Sequence, residues 1–283
     1  MRRSVGETRY CVPTIFVTGE CLIDIVTTLR AAGCVFAEDE AELLTAAASS
    51  PADLESMVDR RVGGEPLEQI VGWAEFCGLR IAVEPTVFVP RRRTEFLVEQ
   101  ASTLVSPGGV VVDLCCGTGA IGVATVAGMS DFELYAADID PAAVRCARRN
   151  LESVGGQVFA GDLYDALPPE IRGRVDVLLV NAPYVPTEDI GMMPPEARDH
   201  EARVALDGGV DGLEMHRRVA KDAPTWLRPG GHVLIETSVR QAATTVRLLA
   251  DAGLETRVEH SEEVSGTVAV GRRPLSSAFA EGR

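Results

Sequence analysis

None of the seven cysteines (Cys11, Cys21, Cys34, Cys77, Cys115, Cys116 and Cys146) stands in a CxxC pair. An odd count without that spacing builds neither a zinc cage nor a disulfide framework, so reduced thiols in a cytoplasmic protein are expected, with no metal site. Cys115 and Cys116 are adjacent at a strand end, where neighbouring side chains point to opposite faces. Long apolar runs are also missing. Nothing approaches the roughly 20 residues of a membrane span, and no membrane association is expected. Arg2 and Arg3 precede a short apolar stretch, Tyr10 to Val17, but Glu7, Arg9, Glu20 and Asp24 break up this faint signal-peptide pattern. Positive charge is scarce: 27 Lys+Arg face 42 Asp+Glu, a formal net charge of −15. A surface of that sign repels polyphosphates, so direct nucleic-acid binding is not expected, and a neutral or basic protein or a small ligand is easier to accommodate. There is no internal repeat and no low-complexity segment.

What remains is an ordinary globular composition, 46% hydrophobic and 24% charged over 283 residues, enough for one or two domains. From Leu22 to Ser56 the apolar residues recur at helical spacing, with Gly33 and Pro51 as breaks. Residues 1–90 carry seven basic against fourteen acidic side chains, so this part is not a nucleic-acid clamp. Glu75 to Val83 and Thr86 to Val89, split by Glu84 and Pro85, read as a hairpin, and a helix capped by Thr94 is expected to run to Leu104. Strands then alternate with helices. Val110–Leu114, Glu133–Ala137, Gln157–Ala160, Val175–Val180 and His232–Ile235 read as strands. Ala120–Ala127, Pro141–Leu151 and Leu213–Trp226 read as helices, and Leu254–Glu259 with Gly266–Val270 as a closing antiparallel pair. Such alternation predicts a mostly parallel sheet covered on both faces. The expected organisation is a disordered tail over residues 1–21, a helical N-terminal domain over 22–74, a hairpin linker over 75–93, an α/β domain over 94–273 and a second tail over 274–283.

Three segments carry chemistry. VVDLCCGTGAIG, Val111 to Gly122, sets Asp113, Gly117 and Gly119 between the first strand of the alternation and its helix, where backbone can approach a ligand closely. Asp138, at the end of the next strand, lies about twenty residues on, the spacing of a ribose-gripping acid in dinucleotide folds. The turn lacks the GxGxxG of a nicotinamide site, and Asp113 beside it disfavours phosphate. A ligand carrying an amine and a sulfonium suits it better, which points to S-adenosylmethionine. Asp162, in GDL, reads either as a contact to the adenine amino group or as a plain turn acid. Last, Asn181, Ala182, Pro183 and Tyr184 (NAPY) follow the apolar run Val175–Val180. The Asn181 oxygen and a backbone carbonyl can accept the two hydrogens of a planar NH2 group while Tyr184 supports its plane. A Pro-stiffened turn without chemistry is the alternative. His200, His216, His232 and His260 are scattered and read as structural or surface residues, so no general base is assigned.

The glycine turn, AADID, GDLYDAL and NAPY in that order resemble the glutamine-specific protein methyltransferases of the release-factor family, whose usual tetrad is NPPY. The resemblance continues through residues 63–99, including PRRRTE, and through 205–213 and 227–236. It covers roughly residues 60–240. The family implies a class I S-adenosylmethionine-dependent methyltransferase: a Rossmann-like α/β fold with a mostly parallel seven-stranded sheet, a small helical N-terminal domain and a β-hairpin linker. Carried onto this chain, the catalytic tetrad is Asn181, Ala182, Pro183 and Tyr184. The cofactor residues are Asp113, Cys115, Gly117, Thr118, Gly119, Asp138, Asp162 and Asn181, and the substrate residues Pro90, Arg91, Asn181 and Tyr184. The cofactor is S-adenosyl-L-methionine, leaving S-adenosyl-L-homocysteine. The partner is a protein substrate, a peptide chain release factor or a ribosomal protein, methylated on a glutamine amide nitrogen. The chain departs from the family at Cys115 and Cys116, usually Gly and Thr, at Ala182, and at Arg92 and Arg93, usually proline and an acid. An NPPY tetrad also occurs in adenine-amino methyltransferases of nucleic acids, and the Ala182 and double-cysteine departures leave open a cofactor-binding protein without turnover.

Overall fold

The computed structural model describes residues 19–275, with side chains from Leu22 onward. The expected tails, 1–21 and 274–283, fall for most of their length outside the described residues. The chain divides into two compact units between Val71 and Gly72.

The first unit is helical: α1 (Gly19–Ala31), α2 (Ala37–Ala47), α3 (Pro51–Val62) and the short α4 (Leu67–Val71). Its core joins Leu29, Ala41 and Leu44 of the helical spacing to Leu54, Met57 and their neighbours. Gly33, at φ +97°, ends the first helix run as expected. Pro51 starts a helix instead of breaking one. It is the first residue of α3, where its missing N–H costs nothing, and the Ser50 side chain accepts from the Asp53 N–H to cap it. In α2 no side chain caps the start, but Glu38, Asp39 and Glu40 in its first turn offset the helix dipole.

The second unit opens with a hairpin of β1 (Trp73–Phe76) and β2 (Leu79–Ala82), paired antiparallel. The turn is therefore Cys77–Gly78 and not Glu84–Pro85. Cys77 (φ 51°) and Gly78 (φ 72°) both take positive φ, the two-residue turn whose twist matches its strands. Residues 83–91, expected to hold the second hairpin strand at Thr86 to Val89, run on as an irregular segment. The helix α5 (Glu95–Ser102) follows a 3-10 turn, Arg92–Thr94. Thr94 precedes α5 yet caps nothing with its side chain, because its backbone is already helical.

Then comes the alternation: β3 (Gly109–Leu114), α6 (Ala120–Thr125), β4 (Phe132–Asp138), α7 (Pro141–Leu151), β5 (Gln157–Ala160), β6 (Val175–Val180), α8 (Pro195–His200), α9 (Glu214–Trp226), β7 (Leu227–Glu236), α10 (Val239–Asp251), β8 (Glu255–Ser261) and β9 (Gly266–Arg272). The seven-stranded sheet has the order β5-β4-β3-β6-β7-β9-β8. All neighbours are parallel except β9, which runs antiparallel to β7 and β8. Every residue of β3 and of β6 is buried, as central strands covered on both faces require. The chain leaves β3 toward β4 on one side and later returns to β6 on the other, so the carboxyl ends of β3 and β6 flank the topological switch point.

The helix α10 has no counterpart in the sequence reading. Its inward face is Ala242, Thr245 and Leu249, too small and too polar to show a clear apolar stripe. Thr245 is there to serve α9, since its hydroxyl lies 3.0 Å from Nδ1 of the fully buried His216. The His216 Nε2 has no hydrogen-bond partner among the described residues, and burial pushes the imidazole down to about 4.

Two stability predictions follow from this geometry. The unfolded chain binds a proton on His216 near pH 6.5 and the folded chain only near 4, so its contribution is present above pH 6.5 and is lost as pH falls through that window. The loss between pH 6.5 and 4, followed by urea unfolding, is expected to be smaller in His216→Gln than in wild type by on the order of 3 kcal/mol. In the β3–α6 turn, a Cβ on Gly119 would meet the Leu151 Cδ1 at 2.4 Å, whereas one on Gly117 meets nothing within 4 Å. Gly119→Ala is expected to cost about 3 kcal/mol, through overpacking and a left-handed backbone, and Gly117→Ala about 1 kcal/mol from the backbone alone.

Candidate functional site

A cleft of about 700 Å³ opens at the switch point, entirely within the second unit. The ends of β3, β4, β5 and β6 supply one set of its walls. Cys115, Gly117 and Thr118 come from the β3 turn, Asp138 from β4, Asp162 from the turn after β5, and Asn181 to Tyr184 from the turn after β6. The lining is completed by Phe88, Pro90, Arg93 and Thr94 of the segment before α5, and by Met193, Val204 and Leu206 of the stretch after β6.

The β3 turn is shaped by acids as much as by glycines. Asp138 accepts from the Gly117 N–H at 2.8 Å with one carboxylate oxygen and from the Asp140 N–H at 2.9 Å with the other. Each oxygen keeps a second lone pair for a ligand in the cleft. Burial nonetheless pushes the Asp138 carboxyl up, against those hydrogen bonds. Asp113 was expected to face the ligand, and it does not. It is fully buried beneath the turn, with its Oδ2 accepting from the Gly122 N–H of α6 at 3.0 Å. Burial pushes it up to about 8, partly opposed by that N–H, while its Oδ1 finds no partner among the described residues. Gly119 likewise lies outside the cleft lining, fitted against α7 at Ala147 and Leu151, so it serves packing between helices.

Cys115, half-buried, packs on one core cluster and the buried Cys116 on the other, and both contribute to the cleft lining. Cys115 holds φ +55°, where glycine is favoured and a side chain costs about 1 kcal/mol. Burial, then the negative charge of Asp138, keeps its thiol well above the usual range, so it is a neutral, unreactive lining group. Asp162 reaches the cleft with Oδ2 held by the Arg218 Nη2 at 2.7 Å.

The NAPY turn is tied from two sides. The Asn181 Nδ2 donates to the Thr94 Oγ1 at 3.5 Å. Tyr184 donates its hydroxyl to Glu236 Oε1 at 3.3 Å, and the Arg93 Nε donates to the same oxygen at 3.3 Å. Burial, reinforced by the Glu236 charge, pushes the Tyr184 phenol up to about 12. The Tyr184 ring stands 6.4 Å from the His216 ring, and its carbonyl accepts from Gln241 Nε2 at 2.9 Å. The side chain of Ala182 is buried, and its carbonyl takes part in none of the turn's hydrogen bonds among the described residues.

Pro90 lines the cleft, but Arg91 does not. Its guanidinium lies over the Phe88 ring and is paired with the buried Glu201, whose Oε1 also accepts from the Val89 N–H at 3.1 Å. Arg91 therefore braces the wall. Sequence reasoning missed Arg93, Thr94, Glu236, Phe88 and Leu163. Arg93 and Thr94 carried a signal by standing in PRRRTE, Leu163 by standing in GDLYDAL and Glu236 by ending 227–236. Glu236 ends an apolar strand and becomes meaningful only once β7 is paired with β6.

No group of His, Cys, Asp and Glu able to hold a metal ion occurs among the described residues, and no described helix is long and apolar enough to cross a membrane. The cleft suits an elongated ligand with a diol and an amine. It has carboxylates at the ends of two adjacent strands, and at Gly117 the backbone carries no side chain toward the opening.

Residues 79–196 match the family described as the methyltransferase small domain. The chain is 38% identical over 199 residues to a release factor glutamine methyltransferase of Geobacter sulfurreducens, covering 70% of this chain and 69% of that one. A protein of the same name from Mycolicibacterium smegmatis is 34% identical over 257 residues, covering 84% of this chain and 91% of that one. A 4-amino-L-phenylalanine/4-methylamino-L-phenylalanine methyltransferase of Streptomyces pristinaespiralis is 37% identical over 205 residues, covering 69% of each chain. Among solved structures, a methyltransferase from Pyrococcus furiosus superposes with a TM-score of 0.53 at 16% identity, covering 70% of this chain and 90% of that one, a likeness of fold. Similar to such relatives over more than two thirds of their length, and folded as a seven-stranded Rossmann-like sheet with its cleft at the switch point, the chain belongs to the release factor glutamine methyltransferase family, whose cofactor is S-adenosylmethionine.

Proposed function

We propose that the protein methylates the side-chain amide nitrogen of a glutamine in a protein substrate, a peptide chain release factor, in the cytoplasm. The observation that carries this reading is the joint presence of Asn181, Ala182 and Tyr184 in one cleft with Gly117, Asp138 and Asp162. In this reading Asp138 accepts the ribose hydroxyls and Asp162 the adenine amino group, and the backbone at Gly117 leaves room for the cofactor. The bound cofactor supplies an electrophilic methyl group on a sulfonium.

The chain's own task is to make a poor nucleophile adequate. An amide nitrogen delocalises its lone pair into the carbonyl. The Asn181 side-chain oxygen and the Ala182 carbonyl each accept one of its hydrogens, which favours the pyramidal nitrogen and aims the lone pair into the cleft. Tyr184, braced at its hydroxyl by Glu236, packs against the amide plane. No base is needed to start the reaction, because the nitrogen becomes acidic once it carries the methyl group. Ala182 retains the carbonyl that this geometry uses.

A second reading is favoured by the relative that acts on 4-amino-L-phenylalanine: transfer to the amine of a small molecule in the same cleft. Transfer to adenine in nucleic acid is weakened by the net charge of −15.

Incubation with methyl-labelled cofactor and purified release factors, followed by mass spectrometry, is expected to find one methylated glutamine. Label appearing only in a small aryl amine or in nucleic acid would sink the proposal. Asn181→Ala is expected to lower transfer by about a hundredfold or more while leaving S-adenosylhomocysteine affinity within a few fold. Gly117→Ala is expected to do the reverse in calorimetry, weakening that affinity about tenfold by setting a methyl group where the backbone must approach the ligand.

A further inference from the structure

An asparagine side chain has nearly the same shape either way round, but one end donates and the other accepts. Only the oxygen suits an NH2 group, since an amide turned over would set hydrogens against hydrogens. The proposed reaction therefore requires something to fix which end of Asn181 meets the cleft.

Thr94 is the group in position to do so. It is 2% exposed, and its hydroxyl leaves the N-terminus of its own helix uncapped. Its Oγ1 is instead 3.5 Å from the Asn181 Nδ2, across 87 residues of sequence. That distance is long for a hydrogen bond and adds little stability, and a hydroxyl can donate as well as accept, so what Thr94 contributes is an acceptor for Nδ2 in the orientation that turns Oδ1 to the cleft. With Nδ2 drawn to Thr94, Oδ1 is the end left to the cleft. The residue before it, Arg93, reaches Glu236 at 3.3 Å, and Glu236 takes the Tyr184 hydroxyl at 3.3 Å. Two consecutive residues of PRRRTE thus reach the first and last members of NAPY, one directly and one through a carboxylate.

We propose that Thr94 is a positioning residue, whose hydroxyl holds the Asn181 amide with its oxygen toward the substrate nitrogen. This rests on the glutamine-methylation reading for its kinetic consequence but not for its structural one, and the test separates the two.

Thr94→Val keeps the shape and removes the acceptor, whereas Thr94→Ser keeps the acceptor. With a release factor carrying a glycine-flanked glutamine as substrate, Thr94→Val is expected to lower kcat at least about tenfold, Thr94→Ser less than about threefold, with S-adenosylhomocysteine affinity within about twofold in both. Independently of activity, the Asn181 side-chain 15N–1H signals, assigned by their loss in Asn181→Asp, are expected to shift and to exchange faster in Thr94→Val but not in Thr94→Ser. Wild-type kcat in Thr94→Val, equal losses in the two variants, or amide signals indifferent to both changes would each overturn the proposal. If the wild-type protein transfers no methyl group to the release factor, the proposed reaction fails, and the amide signals and their exchange still decide the role of Thr94.

Discussion

Parallel pairing makes two strands end at the same edge of a sheet, and in this protein the pair that matters is β3 with β6. The register that sets Asp113 beside Leu179 and Leu114 beside Val180 brings the β3 turn and the NAPY turn out side by side. Neither strand exposes a residue, so a shift of either by one position would exchange core and opposite-face side chains throughout. The strict register of two fully buried neighbours is thus what holds the β3 turn and the NAPY turn at a fixed separation. The rest of the site hangs on it: Asp138 on the adjacent strand, Glu236 on the other side, and α5 laid across to bring Arg93 and Thr94 to the turn.

Much of this was legible in the sequence. VDVLLV reads as a buried strand and is one, and the helix expected over Pro141–Leu151 is α7 with those bounds. The order of motifs located the cleft. What was not legible depended on contacts between distant residues. Asp113 looked like a ligand contact because it adjoins the glycine turn, but the alternation of β3 turns it toward Gly122. Arg91 looked like a channel residue until Glu201, 110 residues on, captured its guanidinium. Thr94 looked like a helix cap, and Cys77–Gly78 was passed over as a turn because Glu84–Pro85 carried the more familiar letters. In each case local chemistry offered two uses for a side chain, and tertiary pairing chose one.

The departures from the usual motifs do not fall alike. Ala182 keeps what every residue has, its carbonyl, so the change from proline alters stiffness more than chemistry. Cys115 is different. It carries a side chain at a backbone position that suits glycine, beside the carboxylate of Asp138, and its thiol stays neutral there. Arg93 introduces a cation beside Tyr184, and the buried Glu236 neutralises it, so the polarity of the turn's surroundings is largely preserved.

Glu201 has a consequence for the order in which the site comes together. The segment before α5 is joined to the stretch after β6 by one carboxylate oxygen that serves Val89, 112 residues away, and Arg91, 110 residues away, and by a short backbone bridge of Thr86 to Glu201. The neighbouring strands of the sheet, by contrast, are held by ladders of paired backbone groups. Closing so long a loop through a bridge shorter than a strand ladder is entropically costly, which sets it later in folding than the ladders and makes it an earlier region to open. The sheet edge that carries the β3 and NAPY turns can therefore be complete while the segment before α5 is still undocked, so the two sides of one cleft differ in rigidity.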